Sequence, residues 1–181
     1  LKKKPFYLEK EAINWVSATL SSMTPKEKIG QLLVLNCLHS DEHKLKELLS
    51  FKPGAIHRSG ILKQTELRKT VKYAAAFTEI PLLFSGDLEH GIMNPFNDDL
   101  MYQNHLGTAA TGDPLFAEYM GTVTAKLGKS YGFNWSFTPD VDIILNFRSS
   151  ITGTRTFGSN PDTILSMASA YIRGMKSAGM A

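Results

Sequence analysis

Apolar residues along this chain follow two alternating patterns. Stretches with apolar positions three and four apart alternate with short unbroken apolar runs, the signatures of amphipathic helices and buried strands. Residues 9–21 predict a helix with Ile13, Val16 and Leu20 on one face. A second helix starts at Thr24, with Pro25 at its first position and Glu27 three residues after the cap. That is a capping box, with the proline where its missing N–H costs nothing. Residues 32–37 (LLVLNC) predict strand one, and residues 41–51 a helix with Leu45, Leu48 and Leu49 inward. Residues 54–59 predict strand two, residues 65–78 a helix with Leu67, Val71, Ala74 and Ala75 in register, and residues 81–85 (PLLFS) strand three. Asp113 then caps a helix opened by Pro114, with Phe116, Met120, Val123 and Leu127 predicted on its inner face and Gly132 at its end. Residues 134–143 contain strand four. Asn160 and Pro161 open a final helix that is predicted to bury Ile164, Ala168, Tyr171, Ile172 and Met175 and to close at Gly179.

Strand alternating with helix implies parallel pairing through right-handed crossovers. Two architectures satisfy this: an open doubly wound sheet and a (β/α)8 barrel. Four units do not close a barrel, which takes about 250 residues. The chain therefore predicts either a small open sheet or about half of something larger. A half barrel is expected to leave the edges of strands one and four unpaired.

Composition narrows the function classes. The hydrophobic fraction of 43% and the charged fraction of 20% are ordinary for a globular chain. A net charge of +3 is weak for nucleic-acid binding, and the dense basic run, Lys2, Lys3 and Lys4, reads as a solvated terminus. No apolar stretch is long enough to span a membrane. The opening LKKKPFYLEK lacks the apolar core of an intact signal peptide. The single cysteine, Cys37, closes an apolar run and is expected to be a buried, inert thiol.

Polar residues gather where strands end. Asp87, Glu89 and His90 follow strand three; Asp140 and Asp142 follow strand four; and the next loop holds Asn146, Arg148, Thr154 and Arg155. In both candidate architectures ligands bind at the carboxyl ends of parallel strands. Carboxylates, an imidazole and an arginine on neighbouring loops suit a polyhydroxylated ligand, although an Asp at a strand end is also a common turn or cap residue. His39, Glu42 and His43 match an H-x-x-E-H zinc string. Beside charged neighbours and with no third ligand, they read as a solvated first helical turn, so no metal and no cofactor is expected. GTRTFGS lacks the lysine of a phosphate-binding loop. Phe133, Trp135 and Phe137 alternate along strand four as strand packing requires.

The strand-end motifs resemble those of glycoside hydrolase family 3. MTPKEKIGQLL (23–33) is similar to the family's opening motif, PLLFSGDLEHG (81–91) to its third-strand motif, and FTPDVDI (137–143) to its fourth. GTRTFGSNP (153–161) resembles the arginine-bearing loop, and AYIRGMKSAGM (170–180) the helix before strand five. Together the five motifs cover most of the chain in order. The arginine loop looks like that of the β-N-acetylglucosaminidase branch. After Asp87, however, LEHGI stands where that branch typically has QEGGR, a step toward the D-x-x-H-G of the β-glucosidases.

The resemblance implies an incomplete (β/α)8 TIM barrel, residues 1–181 supplying a helical lead-in and about four β/α units. It implies a retaining hydrolase acting on a carbohydrate with a terminal β-N-acetylglucosamine, from peptidoglycan or chitin, or alternatively on a β-glucoside or β-xyloside. Asp87 would bind sugar hydroxyls beside the scissile bond, and Arg155 would donate to the same sugar. Asp142 would position the arginine, and Glu89 and His90 would line the pocket. The catalytic nucleophile and the histidine acid/base are expected beyond Ala181, so this part of the chain alone is expected to be inactive. A reading from another class remains: a self-contained, non-catalytic α/β ligand-binding domain. The sequence leaves the compartment open between exported and cytoplasmic.

Overall fold

The computed structural model describes residues 1–58, 63–89 and 102–181. Two helices lead in, α1 (Lys10–Ser22) and α2 (Pro25–Gly30). Then come β1 (Val34–Asn36), α3 (Glu42–Ser50), β2 (Ala55–His57), α4 (Gln64–Phe77) and β3 (Leu83–Gly86). A short α5 (His105–Ala109) precedes α6 (Pro114–Tyr131), β4 (Trp135–Ser136), a 3-10 turn over Gly153–Arg155, and α7 (Pro161–Ser177). The predicted caps form. The Thr24 hydroxyl accepts from the Glu27 N–H at 3.3 Å, and the Glu27 carboxylate accepts from the Thr24 N–H at 2.8 Å. Asp41, Asp113 and Asn160 cap α3, α6 and α7 through single side-chain bonds, accepting from the N–H of Lys44, Leu115 and Thr163. Gly132 ends α6 at φ 99°, a left-handed conformation that suits glycine.

All the strand pairs are parallel, and the order is β1-β2-β3-β4. A doubly wound sheet reverses its strand order at a switch point; this sheet does not. Crossovers of one hand running in one direction put the helices on one face and leave the other bare. Burial agrees. Ile56 and Phe84, paired in register, are buried toward the helices, whereas Val34 and Leu83 on the opposite face are exposed. This is an open arc of a barrel. The expected unpaired edge at β4 is corrected by the structure: the Ala181 N–H donates to the Asn134 carbonyl at 3.0 Å, and the Ser136 N–H donates to the Ala181 carbonyl at 2.9 Å. Ala181 thus pairs backbone to backbone with the edge of β4. Among the described residues no helix is long and apolar enough to cross a membrane.

Several predicted inner faces are wrong, those of α6 and α7 for one physical reason. Phe116 and Val123 of α6 and Ile172 of α7 are exposed. The residues of α6 that are buried are Ala117, Met120, Gly121, Thr124, Ala125, Gly128 and Tyr131. Helices α6 and α7 approach so closely that a Cβ on Gly121 would lie 2.1 Å from the Tyr171 carbonyl, and one on Gly174 would lie 2.1 Å from the Glu118 carbonyl. Close crossing selects small residues, so the bulky apolar positions turn outward. Ala75 of α4 is exposed as well, and α1 buries no residue, leaving Leu20 in solvent. Leu32, before β1, is exposed, and so is Val34 within it.

Candidate functional site

Strand β3 delivers its last residues and the turn after them to the carboxyl end of the sheet, where two side-chain bonds fix them. The Ser136 hydroxyl donates to the Gly86 carbonyl at 3.1 Å. The Tyr171 hydroxyl, buried on α7, donates to the Leu88 carbonyl at 3.0 Å and lies 3.3 Å from the Thr138 hydroxyl. Burial raises the Tyr171 phenol above its usual range, so it is a permanent donor there. Leu88 is fully buried in the core. Anchored this way, the segment carries Asp87 outward, with its side chain 45% exposed, and Glu89 inward, with its side chain 6% exposed.

Glu89 meets Arg155 across 66 residues of sequence. The guanidinium Nε donates to Oε1 at 3.0 Å and to Oε2 at 2.8 Å, and Nη2 donates to Oε1 at 2.5 Å. This is a two-pronged, charge-assisted pair. A further bond runs from Nη1 to the Ile151 carbonyl at 3.2 Å, and the buried His105 donates from Nδ1 to the Arg155 carbonyl. Both the side chain and the backbone of Arg155 are therefore oriented. The bond to Glu89, with the nearby charges of Glu89, Asp140 and Asp87, raises the guanidinium above its usual range against the opposing effect of desolvation. Asp87 thus lies within electrostatic reach of Arg155, at the same end of the fold.

Asp142 is exposed and plays a backbone part: its N–H is capped by Asp140 Oδ1 at 3.1 Å, and its carbonyl accepts from the Thr156 hydroxyl. The carboxylate hydrogen-bonded to the arginine is that of Glu89. Asp140 raises the Asp142 carboxyl, through a hydrogen bond and through repulsion, while Arg155 pulls it the other way. His90 lies outside the described residues. Asn146 and Arg148 form a local turn, with the Asn146 side chain accepting the Arg148 N–H at 2.9 Å. His39 falls in the loop before α3, Glu42 and His43 are exposed in its first turn, and no cluster that could hold a metal occurs among the described residues.

Two residues of the β2 end were not anticipated from sequence. The His57 Nδ1 lies 3.0 Å from the Ser85 hydroxyl and its Nε2 lies 3.8 Å from Asp87 Oδ2. Its ring centroid is 5.3 Å from that of the exposed Phe137, which in turn meets Trp135 at 4.6 Å. The strand-four aromatics thus also border the polar cluster. Arg58 is fully buried and donates from Nη1 to the His39 carbonyl at 2.6 Å and to the Cys37 sulfur at 2.9 Å. Cys37 is buried, as expected, but against a guanidinium. Strand register was the signal that could have found His57: it aligns Asn36, His57, Ser85 and Trp135 in one row across the sheet.

An open cavity of about 500 Å³ lies at the other end of the sheet, lined among others by Trp15, Met23, Leu49, Pro53, Phe77 and Ile80. It sits beneath the strand starts, against the loosely packed α1. In parallel α/β folds chemistry collects at the opposite end, so the polar cluster is the candidate site.

Comparison with known proteins shows the family and the fold. The model of the glycosyl hydrolase family 3 N-terminal domain matches residues 24–181. A β-N-acetylglucosaminidase/β-glucosidase of Cellulomonas fimi is 34% identical over 98% of this chain and 31% of its own length. A β-hexosaminidase of Thiobacillus denitrificans is 31% identical over 67% of this chain and 37% of its own. Among solved structures, the β-glucoside phosphorylase BglX bound to 2FGlc superposes with a TM-score of 0.92 at 35% identity, covering 99% of this chain and 33% of that one. The chain thus spans about a third of the length of these relatives. With the family model covering nearly all of it, this chain belongs to glycosyl hydrolase family 3, and its fold is the TIM-barrel-like α/β fold of that family's N-terminal domain.

Proposed function

We propose that residues 1–181 form the first four β/α units of a family 3 barrel, and that the longer protein carrying them is a retaining glycoside hydrolase removing terminal β-N-acetylglucosamine from a peptidoglycan- or chitin-derived glycan. The observation that carries this is the shared placement of Asp87 and Arg155 at the carboxyl end of the sheet, with Glu89 holding the arginine fork in place. Asp87, half exposed, accepts from ring hydroxyls. Arg155, whose side chain is 44% exposed, keeps donors for the same sugar while Glu89 fixes its plane. Glu89 positions; it does not touch substrate. Asp142 shapes the loop. Retention requires two further groups about 5 Å apart, a nucleophilic carboxylate and an acid/base; these belong to later strands. Turnover of an aryl N-acetylglucosaminide by the full-length protein, absent for residues 1–181 alone, is the expected result. Turnover by the short chain contradicts the proposal.

The likeness to BglX favours a second reading, in which a β-glucoside is the substrate and phosphate rather than water accepts the glycosyl group. Aryl β-glucoside turnover that rises with added phosphate and yields a sugar 1-phosphate would select this reading over the first.

A further inference from the structure

The row Asn36–His57–Ser85–Trp135 runs across the sheet one residue before the point where β3 gives way to Asp87. Ser85 is fully buried, so its hydroxyl, 3.0 Å from His57 Nδ1, is the local partner for that nitrogen. With the serine O–H donating to Nδ1, the ring proton resides on Nε2, the nitrogen that faces Asp87. At 3.8 Å the Nε2 to Oδ2 separation is beyond a hydrogen bond. It is well within the reach of two hydrogen bonds of about 2.8 Å each meeting at one intervening oxygen. A sugar hydroxyl both accepts and donates, which is what an N–H on one side and a carboxylate on the other require. Phe137, half exposed and 5.3 Å from the imidazole, adds an apolar wall beside the gap.

We propose that His57 is a specificity-determining residue of this site, its Nε2–H and the Asp87 carboxylate sharing one ring hydroxyl of the bound sugar. This rests on the sugar-site reading above. The imidazole is held by Ser85 on one side and carried on the last residue of β2, so the histidine is preorganised rather than positioned by the ligand. The side chain of His57 is mostly covered, at 16% exposed, so the imidazole has little freedom to turn away from Asp87.

The test uses the full-length protein and a series of monodeoxy aryl β-glycosides. His57→Ala is expected to raise KM about tenfold, the loss of one hydrogen bond to a charged or strongly polar site, with kcat within about twofold. His57→Gln, whose amide N–H reaches the place of Nε2, is expected to recover most of that loss. One monodeoxy substrate is expected to show the same penalty with the unaltered protein and no further penalty with His57→Ala. Normal turnover by the unaltered protein together with an unchanged KM for His57→Ala, or an equal added loss on every deoxy substrate, overturns this proposal alone. Failure of the unaltered protein to turn over or bind any aryl β-glycoside overturns the sugar-site reading and this proposal with it. If His57→Ala melts early, His57→Gln and the deoxy series with the unaltered protein still decide.

Discussion

Each end of the parallel sheet carries a carboxylate paired with a cation, and the two pairs are built for different work. Beneath the strand starts, Glu27 pairs with Lys52, their side chains 26% and 56% exposed. Glu27 serves at the same time in the capping box of α2. At the strand ends Glu89 is almost fully covered and meets a fork rather than a point charge. Exposed ion pairs contribute little, because water screens them and two long side chains must be ordered. A covered carboxylate has no such alternative partner, so it fixes its arginine. The first pair decorates a helix start. The second holds a donor array at a defined place and orientation, which is what a binding site needs.

Arg155→Ala is expected to have the largest effect. It strands Glu89 without its partner, and, discounted for the exposure of the arginine, the cost is about 1–3 kcal/mol in urea unfolding. Turnover by the full-length protein is expected to fall about a hundredfold, through loss of a charged donor to the bound sugar. Arg155→Lys keeps the charge but not the fork and should recover stability better than turnover. Tyr171→Phe comes next. It removes the donor to the buried Leu88 carbonyl, and a loss of about 1–2 kcal/mol in the same unfolding experiment is expected.

At the opposite end, Lys52→Ala should leave the unfolding midpoint within replicate scatter, and any shift should vanish in about 1 M salt. The pH dependence there has a definite sign. Hydrogen bonds from Lys52 and Thr24 lower the Glu27 carboxyl to about 2. A depressed folded value means the ionised form is favoured on folding. The contribution is therefore present above the ordinary carboxylate range and lost as pH falls toward about 2. Melting curves of the unaltered chain and of Glu27→Gln should differ slightly at neutral pH and converge at acid pH. A difference that grows on acidification would contradict this.

Much of this was legible in the sequence because it is local. The capping box at Thr24, the aspartate and asparagine caps, and the Gly132 terminus each depend on residues within a few positions of one another. The strand-end acids were visible because polar side chains interrupt apolar runs. What was not legible depends on distance. Periodicity weighs bulk and so misplaces the inner face of α6, whereas Gly121 of α6 and Gly174 of α7 face each other's helix because the two cross so near. The Glu89–Arg155 pair joins residues 66 apart, and nothing local marks Glu89 rather than Asp142 as the arginine's partner. His57 sat unremarked at the end of a short strand until register aligned it with Ser85 and placed it beside Asp87.

The central claim concerns which end of the sheet meets the sugar. A crystal structure of the full-length protein soaked with N-acetylglucosamine tests it most directly. The account predicts one pyranose ring hydrogen-bonded to both Asp87 and Arg155, with Glu89 still gripping the guanidinium from behind. A sugar seated instead against Trp15 and Phe77 beneath the strand starts, with Asp87 and Arg155 untouched, would contradict it.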